Sequence, residues 1–471
     1  MRFIALVLLL PSLALAQPEI LPKDGHVTIP LTLSPAMPKR PLSQWYLLPE
    51  YSEMQPGERI GAFLNCFSEQ DIFYNRENNE KRATALKLPL SELGTQYGVE
   101  SGLAYKSTYS NMMTRLDQAA RYNRIEWNEY FNLRRDGAYM LIPEVQKFRQ
   151  LAQVLALRLR VEIKAKEFDK AVVTIRTMFG LAKTLETHPT LIGQLVAMAV
   201  CQITFRGVEE LISQPGCPNL YWSFADLPTP FISLRQGTGG ERLFVKAQFQ
   251  NNLSTTRAMS DKEVGEVVQM IRELQGVWGN KVERADDAAT RYGLLATNVE
   301  LLKTIRNRLL DEEEIDADVV KKMPAGQLVL LEDVHQFMNS NDNLLRWMNR
   351  PAPEALKALS TDDAELTKVK KAGWVAPGLF TASVLRVKIA QARCDQHLAF
   401  LMTIEALRLH AALNKGEFPA KLSEIVVAMP DDPVSGKPFM YELKDGTATL
   451  SGTPAMKGAT NDLRYVLKLR K

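Results

Sequence analysis

The sequence predicts a mainly α-helical protein, a bundle or superhelical stack of antiparallel helices, with a small α+β module at its C-terminal end. Between residues 143 and 212, apolar side chains recur every three or four positions, which is the period of an amphipathic helix. Beyond about residue 439 they alternate with polar ones, as in strands. At 471 residues, with 46% hydrophobic and 24% charged residues, the chain can bury a large core.

The first sixteen residues have the pattern of a secretory signal peptide. Arg2 precedes a short apolar run, and an A-x-A cleavage pattern ends at Ala16. The apolar run is too short to cross a bilayer as a helix. We therefore expect residues 1–16 to be removed and the mature chain, starting near Gln17, to be periplasmic or extracellular.

Residues 17–58 contain eight prolines and are predicted to form an extended arm. Proline fixes φ and lacks a backbone N–H, so the arm should run along a surface without helix. Residues 17–42 better fit a flexible linker. Residues 43–58 should dock on the body through four consecutive side chains, Trp45, Tyr46, Leu47 and Leu48.

The helical body is predicted to span residues 59–372. Its clearest helix starts at Pro143, a residue tolerated at the first helical position. A second apolar stripe runs from Phe168 to Leu185, and a third helix follows the break Thr187-His188-Pro189 and covers about 191–212. Short connections predict that these helices lie antiparallel.

The rest of the body contains a glycine-rich segment, Gly237-Thr238-Gly239-Gly240, that we expect to be flexible. After it, Ser260 and Glu263 form a capping box for a helix through about Trp278. The acidic run from Asp311 lacks the glycine of an EF-hand loop and is better explained as a solvated connection. Further helices are predicted at about 282–310, 328–348 and 353–371.

Residues 373–471 form the predicted C-terminal module. A long helix over about 381–415 should end at Gly416, which supplies a left-handed cap. Residues 439–443 and 447–451 read as a hairpin closed around Asp445-Gly446, and alternation near the end of the chain predicts a third antiparallel strand.

Two places carry candidate contacts for a ligand or partner. Tyr221 and Trp222 lie beside prolines, where they can stack on a sugar or grip a partner, or else cover the end of the bundle. An anion-binding groove is suggested by the aromatic residues Trp127, Tyr130 and Phe131 with the cations Arg124, Arg134 and Arg135; a helix with a solvated basic face explains these residues equally well.

No pattern in the sequence implies a catalytic residue, a cofactor or a metal. Cys394 and His397 share one side of a helix, but Cys394 lies in an apolar stripe, which favours core packing. Of the three possible pairings of the four cysteines, Cys201 with Cys217 is favoured by separation if a disulfide forms.

The net charge of the chain and its apolar stretches bear on whether it binds nucleic acid or crosses a membrane. The formal charge of +4 is small for this length, and no basic tract with interleaved aromatics points to nucleic acid. The apolar stretch between Glu186 and Arg206 contains proline and glutamine, so a buried helix fits it better than a membrane span. We expect no transmembrane segment after signal cleavage.

Several motifs of the chain resemble an uncharacterised family of exported helical proteins of planctomycete-type bacteria. They are Leu47-Leu48-Pro49-Glu50, Pro189-Thr190-Leu191-Ile192 and Pro218-Asn219-Leu220-Tyr221-Trp222. The C-terminal module is similar to that of type II secretion major pseudopilins, through Phe418-Pro419, Asp432-Pro433, Tyr441 and Asp445-Gly446. The chain differs from the pseudopilins in two respects: its predicted leader is cleavable, and its last loop lacks an acidic cluster.

These observations favour an exported, non-catalytic binding or scaffold protein whose partner is a protein or a cell-envelope component. A secreted hydrolase with a site assembled from distant residues is the alternative that one sequence leaves open. The pseudopilin resemblance implies a third role, as an accessory of type II secretion.

Overall fold

The computed structural model describes residues 26–39, 45–68, 74–93, 97, 109–137, 140–250, 252–278, 287–377, 384–456 and 462–470. The predicted signal peptide, residues 1–16, lies outside these ranges, as do residues 17–25 of the predicted arm. Within them the chain is mainly α-helical with a small sheet that includes the last strands of the chain, so the predicted fold class is confirmed.

The elements of the N-terminal third are β1 His26–Leu33, β2 Gln55–Glu58, α1 Arg59–Ser68, α2 Arg76–Ala85, α3 Tyr109–Ala119, β3 Tyr122–Arg124 and α4 Glu129–Asp136. The central helices are α5 Pro143–Lys164, α6 Phe168–Glu186, α7 Leu191–Ile212, α8 Tyr221–Ala225 and α9 Arg235–Gln250. Six helices follow them: α10 Asp261–Trp278, α11 Ala288–Ala296, α12 Val299–Asp311, α13 Ala317–Lys322, α14 Ala325–Trp347 and α15 Ala352–Lys371. The chain closes with α16 Val384–Leu413, β4 Met440–Lys444, β5 Thr447–Ser451 and β6 Asp462–Leu469.

Helices α5, α6 and α7 pack on one another and form the centre of the body. Pro143 is the first residue of α5, as predicted. Phe148, Phe179 and Phe205, one from each helix, are fully buried. Thr190 caps α7 because its side-chain oxygen accepts the backbone N–H of Gly193, so the predicted break before this helix is confirmed.

Helix α16 joins this body to the sheet. It packs against α7, and its buried residues run consecutively from Gln396 to Leu401, so they cover every face of the helix. Gly416 follows with φ of +81°, and its N–H donates to the carbonyl of Ala411, which is the predicted left-handed cap.

The sheet has four strands in the order β1-β6-β5-β4. Strands β4, β5 and β6 are antiparallel, and Asp445 and Gly446 both have positive φ in the predicted two-residue turn. Strand β1 pairs with β6 in parallel, from His26 opposite Asp462 to Leu33 opposite Leu469. The three-stranded sheet expected from the sequence thus gains a fourth strand from the beginning of the chain.

The expectation of a flexible linker over residues 17–42 is therefore wrong for residues 26–33. Leu33 is fully buried, and Ile29 and Leu31 also lie in the core. Pro30 is compatible with this strand because β1 lies at the edge of the sheet, where a residue without a backbone N–H is tolerated.

The segment after β1 is held by buried groups of α16. The guanidinium of Arg408 donates to the carbonyl of Ser34 at 3.0 Å and to the carboxylate of Glu405 at 2.8 Å, and both charged side chains are inaccessible to solvent. Further along, Trp45 and Leu47 are buried, so the predicted docking of this segment on the body is confirmed for these two side chains.

The glycine-rich segment 237–240 is helical rather than flexible, because it lies within α9. Two of its glycines, Gly237 and Gly240, allow α9 to pack closely against α7 and the turn before it. A Cβ on Gly240 would lie 1.5 Å from the carbonyl oxygen of Pro189, and one on Gly237 would lie 2.3 Å from Oε1 of Gln194. The absence of a side chain at these two positions reflects close packing.

The single helix predicted over about 282–310 is two helices, α11 and α12. The side chain of Asn298 accepts the backbone N–H of Leu301 and starts α12. The predicted capping box before α10 is present, since Glu263 and Ser260 bond each other's backbone N–H. Asp316, in the acidic run weighed for calcium, caps α13 instead.

One helix of the described residues, α7, has the length and apolarity of a membrane span. In the structure 67% of its most apolar window is buried inside the protein.

Candidate binding surface

The aromatic and arginine residues singled out between 127 and 135 lie on α4 and on the turn that precedes it. The helix ends at Gly137, which has φ of +49° and whose N–H donates to the carbonyl of Leu133. A Cβ on Gly137 would lie 2.4 Å from Oε1 of Gln248 on α9. Glycine thus both ends α4 and lets it pack on α9.

Trp127 anchors this turn to the core. Its Nε1 donates to the hydroxyl of Thr187 at 2.9 Å, and its ring packs against Phe148 and, edge to face, against His188. The side chain is only 8% exposed. The structure therefore corrects the prediction that Trp127 contacts a ligand or partner, because its ring faces the protein interior.

The outer side of α4 is exposed and carries both rings and cations. Phe131 is 79% exposed and Tyr130 is 39% exposed. The side chains of Arg134 and Arg135 are exposed on the same helix. We call these four residues the α4 surface. Aromatic and arginine side chains are enriched at protein–protein interfaces.

The two arginines of the α4 surface differ in their bonding. Arg135 binds the carboxylate of Asp136 through Nε at 2.7 Å and Oδ1 of Asn132 through a terminal nitrogen at 3.1 Å. The hydrogen bond from Arg135 lowers the pKa of Asp136. Arg134 has no hydrogen bond or ion pair with any residue that the structure describes. Its charge is therefore available to a partner.

Tyr130 fixes the orientation of α4 from its outer side. Its hydroxyl donates to Oε1 of Gln236 on α9 at 3.0 Å. With Trp127 on the inner side, this bond ties the short helix to two separate parts of the body. The α4 surface is thus presented on a fixed support, which lowers the entropy lost on binding.

A buried imidazole, that of His188, packs against Trp127 on the turn that precedes α4. Nδ1 of His188 bonds the backbone N–H of Thr190 at 3.2 Å and its hydroxyl at 2.9 Å. Burial lowers the pKa of His188 to about 4, so the ring is neutral at pH 7. Its Nε2 has no hydrogen-bond partner among the described residues. The anion-binding groove expected from the sequence would gain no charge from this histidine.

The second predicted pair is divided between core and surface. Tyr221 is 1% exposed, and its hydroxyl donates to the carbonyl of Ala428 at 2.6 Å. Trp222 lies edge to face against Tyr221 and is 45% exposed. Tyr221 therefore closes the packing at this end of the body, whereas Trp222 presents part of its ring to solvent.

The sequence did not predict one buried cluster of polar side chains. His397 on α16 lies between Oε1 of Gln202 and Oε1 of Glu209, both on α7 and both at 2.9 Å. Tyr465 on β6 donates to the same Glu209 oxygen at 2.6 Å. Glu209 follows Gln202 by seven residues, a spacing that places both side chains on one face of α7. That spacing was the available signal in the sequence.

This cluster links helix, helix and strand, and its members bond one another. His397 is 3% exposed, Glu209 is 6% exposed and Tyr465 is fully buried. Burial, together with the charge of Glu209 beside it, raises the pKa of Tyr465. These contacts hold α7, α16 and β6 together. In the described residues no three His, Cys, Asp or Glu side chains are arranged to hold a metal ion.

The four cysteines are described and buried, and none of them forms a disulfide. The pair favoured by sequence separation, Cys201 with Cys217, is therefore not linked in the structure. The thiol of Cys217 bonds the carbonyl of Pro218 instead.

Comparison of the chain with family models, with curated proteins and with solved structures found no match.

Proposed function

We propose that this chain is an exported, non-catalytic helical protein that binds another protein of the cell envelope through the α4 surface. The observation that carries the proposal is the 79% exposure of Phe131, a large ring held on a fixed helix beside two exposed arginines. Exposed aromatic and arginine groups of this kind supply most of the energy of protein interfaces.

Export is supported by the pattern of residues 1–16 and by the resemblance to exported helical proteins. The mass of the chain recovered from producing cells tests it. We expect a mature protein that begins near Gln17 and fractionates with the periplasm or the medium. Recovery of the chain in the cytosol with Met1 still attached would contradict export, and with it a partner in the cell envelope.

Binding is tested by the size of the complex that the protein forms in extracts of its own cells. We expect the wild type to elute with its partner and Phe131→Ala to elute as the chain alone, because truncation of a central aromatic contact costs about 2 kcal/mol or more. The matched control is Leu294→Ala, which truncates a side chain that is 68% exposed on α11. Equal elution of both variants with the wild type would reject the α4 surface as the binding site.

A further inference from the structure

Strand β4 lies at one edge of the four-stranded sheet, because the strand order is β1-β6-β5-β4. Each of its residues, from Met440 to Lys444, pairs with a residue of β5. On the other side of β4, no strand lies within the part of the chain that the structure describes. The outer edge of β4 is therefore open to pairing with a further strand.

The turn of the hairpin determines which backbone groups of β4 point toward this outer edge. The two-residue turn Asp445-Gly446 makes Lys444 and Thr447 a hydrogen-bonded pair. Hydrogen-bonded pairs recur at every second residue of an antiparallel ladder, so the N–H and C=O of Tyr441 and Leu443 point away from β5. No backbone group of the described loops bonds to either residue. These donors and acceptors are therefore available to a partner strand.

The solvent side of β4 carries two opposite charges that are not matched across the hairpin. Glu442 and Lys444 are both exposed. Their partners in the β4–β5 hairpin are the uncharged residues Thr449 and Thr447. A strand that pairs with the outer edge of β4 would place its own side chains next to these two charges.

The order of the two charges favours a second copy of the same chain as the partner. Two β4 strands related by a two-fold axis pair antiparallel, and the axis can pass through Tyr441, Glu442 or Leu443. An axis at Glu442 places two carboxylates opposite each other, and an axis at Tyr441 gives neither charge a charged partner. An axis at Leu443 places Glu442 of each copy opposite Lys444 of the other. Of the three registers, this one matches both charges.

We propose that two copies of this chain associate through their β4 strands in the register centred on Leu443, so that their sheets form one continuous sheet. Leu443 of each copy donates its N–H to the C=O of Leu443 in the other copy, and Glu442 of each copy binds Lys444 of the other. A strand of five residues buries less than the about 800 Å² per partner of a standard interface, so the dimer is weak, with a dissociation constant on the order of 100 µM.

Sedimentation equilibrium of the purified chain, from about 10 to about 500 µM, tests the association. We expect the apparent mass to rise with concentration toward that of a dimer. Glu442→Lys creates two like-charge pairs and should weaken the association by about tenfold or more, as should Lys444→Glu. The double variant E442K/K444E exchanges the two charges and should restore the association to within about threefold of the wild type.

The matched control is Glu300→Lys, which makes the same change in net charge at an exposed position on α12 and should leave the association unchanged. Both β4 side chains are exposed, so their substitution leaves the core intact. Phe131→Ala should also dimerise as the wild type does, so the result is independent of the α4 surface.

A carbodiimide, which joins a carboxylate directly to an amine, identifies the contact. In an equal mixture of isotopically light and heavy chains, we expect linked peptides that join Glu442 of one isotopic form to Lys444 of the other. A wild type that stays monomeric over the whole concentration range would overturn the proposal. Association that E442K and the double variant leave unchanged would also overturn it, as would links between light and heavy chains through other residues alone.

Discussion

At the scale of single residues, a buried carboxyl group makes the stability of the protein depend on pH. Oδ1 of Asp395 accepts the backbone N–H of Phe231 at 2.9 Å. Burial raises the pKa of Asp395 from 3.8 to about 7, although this hydrogen bond and the charges of Lys388 and Lys183 act the other way. Burial also raises the pKa of Glu241 to about 7.

The direction in which stability changes with pH depends on whether the folded or the unfolded protein binds the proton more tightly. A carboxyl whose pKa is higher in the folded protein holds its proton more tightly there, so its contribution to stability is lost as pH rises from about 4 through about 7. A pKa raised from 3.8 to about 7 corresponds to at most about 4 kcal/mol. His188, with its pKa lowered to about 4, acts in the opposite sense and destabilises the fold as pH falls below about 6.5.

We predict that Asp395→Asn reduces the fall in the free energy of unfolding between pH 4.5 and pH 8 by about 2 to 4 kcal/mol, because asparagine keeps the acceptor for Phe231 without the ionisable group. Urea unfolding across this range measures the difference. The control is Asp226→Asn at an exposed carboxylate, which should leave the slope unchanged. If the free energies of unfolding of D395N and the wild type changed with pH in parallel, the result would contradict a raised pKa for Asp395.

Single residues were the hardest feature to predict from the sequence. Trp127 and Phe131 both belong to the aromatic group that precedes Arg134, yet one is 8% exposed and the other 79%. Their difference depends on where α4 meets the Thr187 turn, a contact between residues sixty positions apart. His397 and Glu209 likewise meet only because α16 packs on α7.

At the scale of elements, two neighbouring glycines of α9 have opposite surroundings. A Cβ on Gly240 would lie 1.5 Å from the carbonyl oxygen of Pro189, whereas a Cβ on Gly239 would meet nothing within 4 Å. The first glycine is required for the approach of α9 to the turn before α7. The second serves no packing purpose and lowers helix stability.

We predict that Gly240→Ala destabilises the protein by about 2 kcal/mol or more, because backbone atoms must move to admit the methyl group. Gly239→Ala should instead stabilise it by about 0.5 to 1 kcal/mol through helix propensity. Urea unfolding of the two variants side by side gives both signs. A loss of stability in both variants, equal in size, would show that α9 does not cross the turn at Gly240.

Helices with a clear apolar period and a recognisable cap were predicted well. Pro143, the break before Leu191, the Ser260–Glu263 box and Gly416 each define an end of a helix by local chemistry. Helix α9 was missed at its start because glycines that permit close packing look the same in sequence as glycines of a loop. The break between α11 and α12 was missed because the apolar pattern continues across it.

At the scale of the whole molecule, two strands that lie far apart in sequence, β1 and β6, are neighbours in one sheet. Strand β1 pairs with β6, and the backbone N–H of Arg470 bonds the carbonyl of Leu33. The paired residues lie far apart in sequence, so this parallel pairing carries a large loop-closure entropy cost. Of the two paired strands, β1 was the harder to predict from the sequence, because Pro30 interrupts the usual pattern of strand residues.

We predict that Leu33→Ala destabilises the protein by about 2 to 5 kcal/mol, because it removes a fully buried side chain from the sheet core. The matched control, Leu413→Ala, truncates a side chain that is 51% exposed at the end of α16 and should cost less than about 1 kcal/mol. Hydrogen exchange of the wild type should also show protected amides along β6. Fast exchange there, with equal stability of the two variants, would contradict the pairing of β1.

The fold, the presentation of α4 and the signal-like N-terminus together lead to one claim, that an exported helical protein binds a protein partner through Phe131 and its neighbours. The most direct measurement places a photo-cross-linking amino acid at position 131 in producing cells, and at position 294 as the control. We predict a light-dependent adduct with another envelope protein at position 131 and none at 294. Adducts of equal yield at both positions, or with lipid alone at position 131, would contradict the claim.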